Sequence, residues 1–320
     1  MSKNPIQRGA ALLAAMLTVT LVATLAAAAL WQQWRGVEIE TAERSRIQSA
    51  WILTGALDLA RLFLRQDGRS GNGPKGTADL LSTPLAETPL STFLSQDASD
   101  DGEEAYMSGQ IVDAQSRINI MSLVNVQKLS PAAHAAFVKL FALVGVPLEQ
   151  LDLLEQNLLL ALAPPGATDT LAPLVPQRLE ELTWLGLSAP SQQLLKPYVT
   201  VLPTATTVNL NSASAEVIYA VFPQLDLSSA QRLVQQRQLK HFATLSEVVP
   251  FVGALPEANA STGPALYDVT TTYFEVQGRL RLDQTVLEEK SLVQRPIGGD
   301  PNTLWRQRWV SESVAASAGP

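Results

Sequence analysis

The chain has 320 residues, 46% hydrophobic and 17% charged, with 23 Lys and Arg against 30 Asp and Glu for a net charge of −7. That length holds two or three structural units and a substantial core, and the acid excess argues against nucleic acid, whose binding rests on neutralising phosphates with Lys and Arg. Having no cysteine and only two histidines, His134 and His241, it can form no disulfide, thiolate metal site or multi-histidine metal site.

Between Arg8 and Arg35 lie 26 uncharged residues, Gly9 to Trp34, of which Ala10 to Trp31 supply 22 in an almost wholly apolar run. At about 1.5 Å per helical residue, ~20 such residues cross the hydrocarbon of a bilayer. Lys3 and Arg8 precede the run with no acid, so the N-terminus is expected in the cytoplasm and the remainder outside. A cleaved signal peptide has a shorter apolar region, about 7–15 residues. Here the chain instead continues without proline through charged, helix-compatible sequence, with Val37, Ile47, Trp51, Leu57 and Leu64 near helical spacing. Gly36 and Gly55 interrupt it at roughly 1 kcal/mol each. The expectation is one helix over 10–66, transmembrane to about residue 34.

Residues 67–104 are rich in Gly and Pro and read as loops. Asp97, Asp100, Asp101, Glu103 and Glu104 form an acidic group that would suit a hard cation such as calcium. Their spacing is not that of an EF-hand, and a solvated acidic loop is the plainer reading. Ala105–Ile120 reads as a strand, a turn at 113–116 and a second short extended piece, with Asp and Asn side chains holding the turn.

A helical block follows over 122–256. Ser130-Pro131 is an N-cap with Pro at the first helical position, and Phe137, Leu140, Phe141 and Val144 line one face up to Gly145. Further helices are expected after Pro147, over 178–187 and over 192–198; His134 is placed on the surface. In Asn209–Val249, Asn211 or Ser212 would cap a helix with Glu216 in its first turn. Ser228/Gln231 and Thr244/Glu247 read as capping boxes. Three short helices joined this way resemble a helix-hairpin-helix, or SAM-like, module. Its hairpin has no Gly and carries Asp226, which disfavours a phosphate-binding role, so a packing or partner surface is expected.

From Tyr267 the period becomes two: Phe274, Val276, Leu280 and Leu282 alternate with Glu275, Gln277, Arg279 and Arg281, as in a half-buried antiparallel strand. Strand pieces over 285–287 and 290–294 and a last strand over 303–310 follow; 311–320 reads as a loose tail. No Gly-rich phosphate loop, G-x-S-x-G or H-E-x-x-H occurs. The acid pairs Glu180-Glu181 and Glu288-Glu289 read as solvated. An enzyme is not expected.

The basic leader ending in Gly9, a small residue at Ala10 and a long half-apolar helix resemble a type IV prepilin. Within that group the chain resembles the minor pseudopilin K family of bacterial type II secretion. The resemblance implies cleavage by prepilin peptidase after Gly9 and methylation of Ala10, leaving the apolar helix on the mature chain. Most prepilins carry a Glu at the fifth mature position, which here is Ala14. A subunit without that acid cannot pair with the N-terminal amine of a neighbour, which suits the tip. Asn209, Asn211, Ala213, Ala215, Glu216 and Val217 match a motif of the family's inserted helical region.

The resemblance further implies an α/β pilin-like fold, a long N-terminal transmembrane helix packed on an antiparallel sheet, with a large all-α insertion. The pilin-like parts would be 67–121 and 257–310. It also implies calcium, with Asp97, Asp100, Asp101 and Glu104 as candidate ligands. The implied setting is the inner membrane with a periplasmic head, and the implied partners are minor pseudopilins I and J, prepilin peptidase and secreted substrates. The rival reading is a single-pass, membrane-anchored periplasmic binding or sensor protein.

Overall fold

A computed structural model describes residues 6–69, 81, 84–92, 105–164, 172–255, 264–282, 285–296 and 298–312. Residues 1–5, the acids between 97 and 104 and the tail beyond 312 lie outside these. In chain order come α1 (Ile6–Arg69), β1 (Leu85–Pro89), β2 (Ala105–Asp113), and the short β3 (Ile118–Asn119), β4 (Val124–Asn125) and β5 (Lys128–Leu129). Then follow α2 (Pro131–Val144), α3 (Leu148–Ala161), α4 (Ala189–Leu195), β6 (Val199–Thr200) and β7 (Val208–Asn209). Last are α5 (Ala215–Val221), α6 (Leu227–Leu239), α7 (Val249–Val252), β8 (Tyr267–Asp268), β9 (Tyr273–Leu282), β10 (Thr285–Gln294) and β11 (Asn302–Glu312).

The chain falls into two compact units, Met1–Gly55 and Ala56–Pro320. In the first, every residue from Ala10 to Arg44 is exposed, and the helix holds a stretch long and apolar enough to cross a bilayer, with none of it buried. Thr18, Thr20 and Thr24 donate their hydroxyls to the carbonyls of Ala15, Leu17 and Leu21 at 2.8–2.9 Å. Their polar atoms are thereby satisfied within the helix, as lipid requires. The expected apolar stripe is partly corrected: Val37, Ile47 and Trp51 stay exposed, and the buried positions are Leu53, Leu57, Ala60 and Leu64. Their spacings of four, three and four make one helical face. The helix also runs past the expected end at 66.

In the second unit β1-β2-β9-β10-β11 form one antiparallel sheet. Leu57, Ala60 and Leu64 of α1 pack on Phe274, Val276 and Val293, the inward half of the two-residue alternation in β9 and β10. The strand pieces expected around Glu288-Glu289 are one continuous strand, and Glu289 is buried rather than solvated. It lies on the same face as Val293 and Ser291, where Arg308 Nε meets it at 2.9 Å and Arg306 Nε at 3.5 Å. A carboxylate leaves water there because two guanidiniums take the place of its hydration.

A second, larger core gathers residues from Ile118 to Val269, wider than the expected 122–256. In α2 the Ser130 hydroxyl accepts from Ala133 N, Pro131 opens the first turn and Gly145 closes the helix at φ 76°, a backbone that glycine adopts without strain. Phe137, Leu140 and Phe141 are fully buried; replacing any of them by Ala would cost about 2–5 kcal/mol. Residues 179–185 form a 3-10 helix rather than an α-helix. The helix expected at 192–198 begins three residues earlier because Ser188 caps it and Pro190 lies in its first turn.

Candidate functional site

The residues singled out at 209–217 meet the end of β2 at a buried polar node. Asp113 ends β2, and its Oδ1 accepts the backbone N–H of Gln115 at 2.8 Å, closing the turn. The Thr271 hydroxyl donates to the same oxygen at 2.6 Å. The other oxygen, Oδ2, accepts from Asn209 Nδ2 at 2.7 Å and from the Ser212 hydroxyl. Asp113 is 2% exposed, and all four of these donors are neutral. Burial pushes its carboxyl above the usual carboxylate range, and the four hydrogen bonds offset that only in part.

Asn211 completes the motif. Its Nδ2 donates to the carbonyls of Phe242 and Val269 at 2.9 and 3.0 Å, and its Oδ1 accepts from Phe242 N at 2.9 Å. Asn209 Oδ1 in turn accepts from Asn211 N at 3.0 Å. The two asparagines thus tie three segments of chain at one point, and β7 pairs in parallel with β8 beside them. Ala213 and Val217 are fully buried, while Ala215 and Glu216 are partly exposed. Neither Asn211 nor Ser212 caps α5. Ser214 does, accepting from Val217 N, because Asn211 and Ser212 are already committed to Phe242, Val269 and Asp113. Likewise Asp226, not Ser228, caps α6. Of the expected box at Thr244 only the Glu247 half forms, reaching Ala243 N at 2.8 Å. Arg237, on α6, donates to Leu210 O at 2.7 Å, and burial lowers its guanidinium to about 10, still charged at neutral pH.

Gln115 and Asn119 extend the node. Gln115 bridges Thr207 O and Thr272 N at 2.8 and 2.7 Å. Asn119 Oδ1 accepts from Met121 N and Leu202 N, while its Nδ2 donates to Thr204 O. The Asp and Asn side chains expected to hold one turn therefore also hold loops some 85–100 residues away in sequence. On the other face of the sheet Glu275 meets Arg117 at 2.6 Å and Lys290 at 2.9 Å. Burial alone would raise that carboxyl; the two cations outweigh it and hold it below its ordinary value. These groups line a cavity of about 680 Å³ between the sheet and residues 177–180 and 196–201.

His134 is half-exposed and bonds Glu155 at 2.8 Å through Nδ1; His241 lies in the connection after α6. Among the described residues no group of three or more His, Cys, Asp or Glu could hold a metal ion. Gly9, Ala10 and Ala14 all lie within α1. The arrangement is one of docking and packing: a polar latch, two cores and a long apolar helix.

Residues 208–269 match the family described as type II secretion system (T2SS), protein K. A type II secretion system protein K of Pseudomonas aeruginosa is 28% identical over 319 residues, covering 94% of this chain and 92% of that protein. One from Pectobacterium carotovorum subsp. carotovorum is 27% identical, covering 92% and 97%. The chain is thus similar to type II secretion system K proteins over nearly its whole length. The fold is also that of a chain in the crystal structure of the GspK-GspI-GspJ complex from the enterotoxigenic Escherichia coli type 2 secretion system. The likeness has a TM-score of 0.64 at 17% identity and covers 84% of this chain and 99% of that one. The family match spans β7 to Val269, the segment whose Asn209 and Ser212 latch onto Asp113. The latch is not legible in the sequence alone: Asp113 reads as part of a turn and Asn209 as part of a motif of the helical region, but nothing local says that they meet.

Proposed function

We propose that this protein is a minor pseudopilin that caps the periplasmic pseudopilus of type II secretion together with minor pseudopilins I and J, in support of protein export. The observation that carries the reading is a 64-residue helix whose exposed apolar half contains no ionisable group between Arg8 and Arg35. Such a helix packs among lipid tails or other apolar helices. With Ala14 where an acid would bond the amine of another subunit, it accepts no such partner, as a first subunit requires. The latched head would then block addition above it. Lys3 and Arg8 favour a cytoplasmic N-terminus and a periplasmic head. Prepilin peptidase would cut after Gly9 and leave a methylated Ala10.

Mass spectrometry of the purified mature protein tests the processing. A methylated Ala10 start supports it, a retained Met1 points to an unprocessed anchor, and a start near Leu30 to a signal peptide. Co-purification with tagged I and J tests the assembly; failure to recover a ternary complex from membranes overturns it. We also propose calcium at Asp97, Asp100, Asp101 and Glu104, hard oxygen donors of the right kind. Heat of calcium binding absent from the Asp100→Asn, Asp101→Asn double variant would support it. Unchanged binding would reject these ligands.

A further inference from the structure

The Lys139 side chain leaves α2 and ends among main-chain oxygens of the hairpin that joins α5 to α6. Its Nζ lies 2.6 Å from Tyr219 O, 2.8 Å from Phe222 O, 3.3 Å from Leu225 O and 3.4 Å from Pro223 O. The Tyr219 ring centroid is 3.9 Å away. Four carbonyl dipoles and an aromatic face therefore converge on one point, and no carboxylate is among them. The carbonyls belong to the last turn of α5 and the residues beyond it, where oxygens lack intrahelical partners and the helix dipole is negative.

An ammonium has three protons to give and meets four carbonyls here. That is coordination of a charge rather than a set of matched hydrogen bonds. Neutral carbonyl oxygens and an aromatic face suit a monovalent, weakly hydrated cation. A divalent ion would call for carboxylates. A lysine that caps its own helix reaches its own last carbonyls; this one comes from a helix about 80 residues earlier. Burial lowers the Lys139 pKa, yet the cradle is built for the charged form.

We propose that the α5–α6 hairpin is a monovalent-cation site whose ion is the tethered ammonium of Lys139, so that the emptied cradle would accept potassium or ammonium. The tether pins α2 to the hairpin, and the hairpin needs no ion from solution.

The test is thermal unfolding of the full-length protein in detergent, wild type against Lys139→Ala and Lys139→Met, in potassium, ammonium or choline chloride at equal ionic strength. In choline the Ala variant should melt on the order of 5 °C below wild type, and at least half of that loss should return with potassium or ammonium. Wild type and the Met variant, whose stem fills the cradle, should respond alike to all three salts, with Met staying below wild type. The proposal falls if the Ala variant does not distinguish the small cations from choline, or if Met melts with wild type. Should the Ala variant not accumulate folded, its refolding yield must be higher in potassium or ammonium than in choline, and equal yields overturn the proposal.

Discussion

Asp113 and Glu275 lie one step apart in the register of β2 and β9, on opposite faces of the sheet. Both are buried, and they are held in opposite ways. Glu275 sits between Arg117 and Lys290; Asp113 receives four hydrogen bonds from neutral groups. A cation clamp offsets desolvation with Coulomb attraction and tolerates small displacements. A neutral cage offsets it through direction alone, so every donor must be in place. The directional solution lies where the sheet hands the chain to the helical region, and it fixes how the two meet.

Removing each carboxylate in turn tests this difference most severely. Asp113→Ala removes the acceptor of Gln115 N and Asn209 Nδ2 and leaves Thr271 and Ser212 only longer alternatives, and should cost about 4 kcal/mol in denaturant unfolding. Glu275→Gln leaves Arg117 and Lys290 facing a neutral amide and should cost about 2 kcal/mol. Replacing Glu275 and Arg117 together by Leu and Met should recover part of that.

Acid separates the two sites further, because their shifts have opposite signs. Glu275 is lowered in the fold, so its contribution is present above the unfolded value of 4.5 and disappears as pH falls through the folded one. Asp113 is raised, so its contribution is greatest below 3.8 and shrinks as pH rises through its folded value. Between pH 4 and 7 the penalty of Glu275→Gln should therefore grow, while that of Asp113→Asn should shrink. Parallel curves for the two variants would mean that the cages do not differ as described. The smallest effect is at the caps: Ser214→Ala should cost about 1 kcal/mol, and Ser228→Ala no more than about a few tenths.

Elements announced by periodicity or by a cap within one turn are legible in the sequence. The apolar half of α1, the Ser130–Gly145 limits of α2, the alternation in β9 and the strand–turn–strand around Asp113 all follow from neighbours within a few residues. What is not legible depends on distant partners. Asn211 and Ser212 look like caps until Phe242, Val269 and Asp113 claim their side chains. Glu289 looks solvated until β11 brings up Arg306 and Arg308. Lys139 looks like an ordinary surface residue of α2 until the α5–α6 hairpin arrives.

The sheet order β1-β2-β9-β10-β11 is an up-and-down meander. Since β2 and β9 are adjacent and antiparallel, the whole helical region occupies the place of a hairpin turn. Joining those strands through about 160 residues instead of about four costs roughly 3 kcal/mol more in loop-closure entropy. A disordered insertion would leave that cost unmet and the two strands slow to find each other. The insertion must therefore bring its own ends together by folding, and Asp113 and Thr271, hydrogen-bonded to each other across its mouth, mark where it does so.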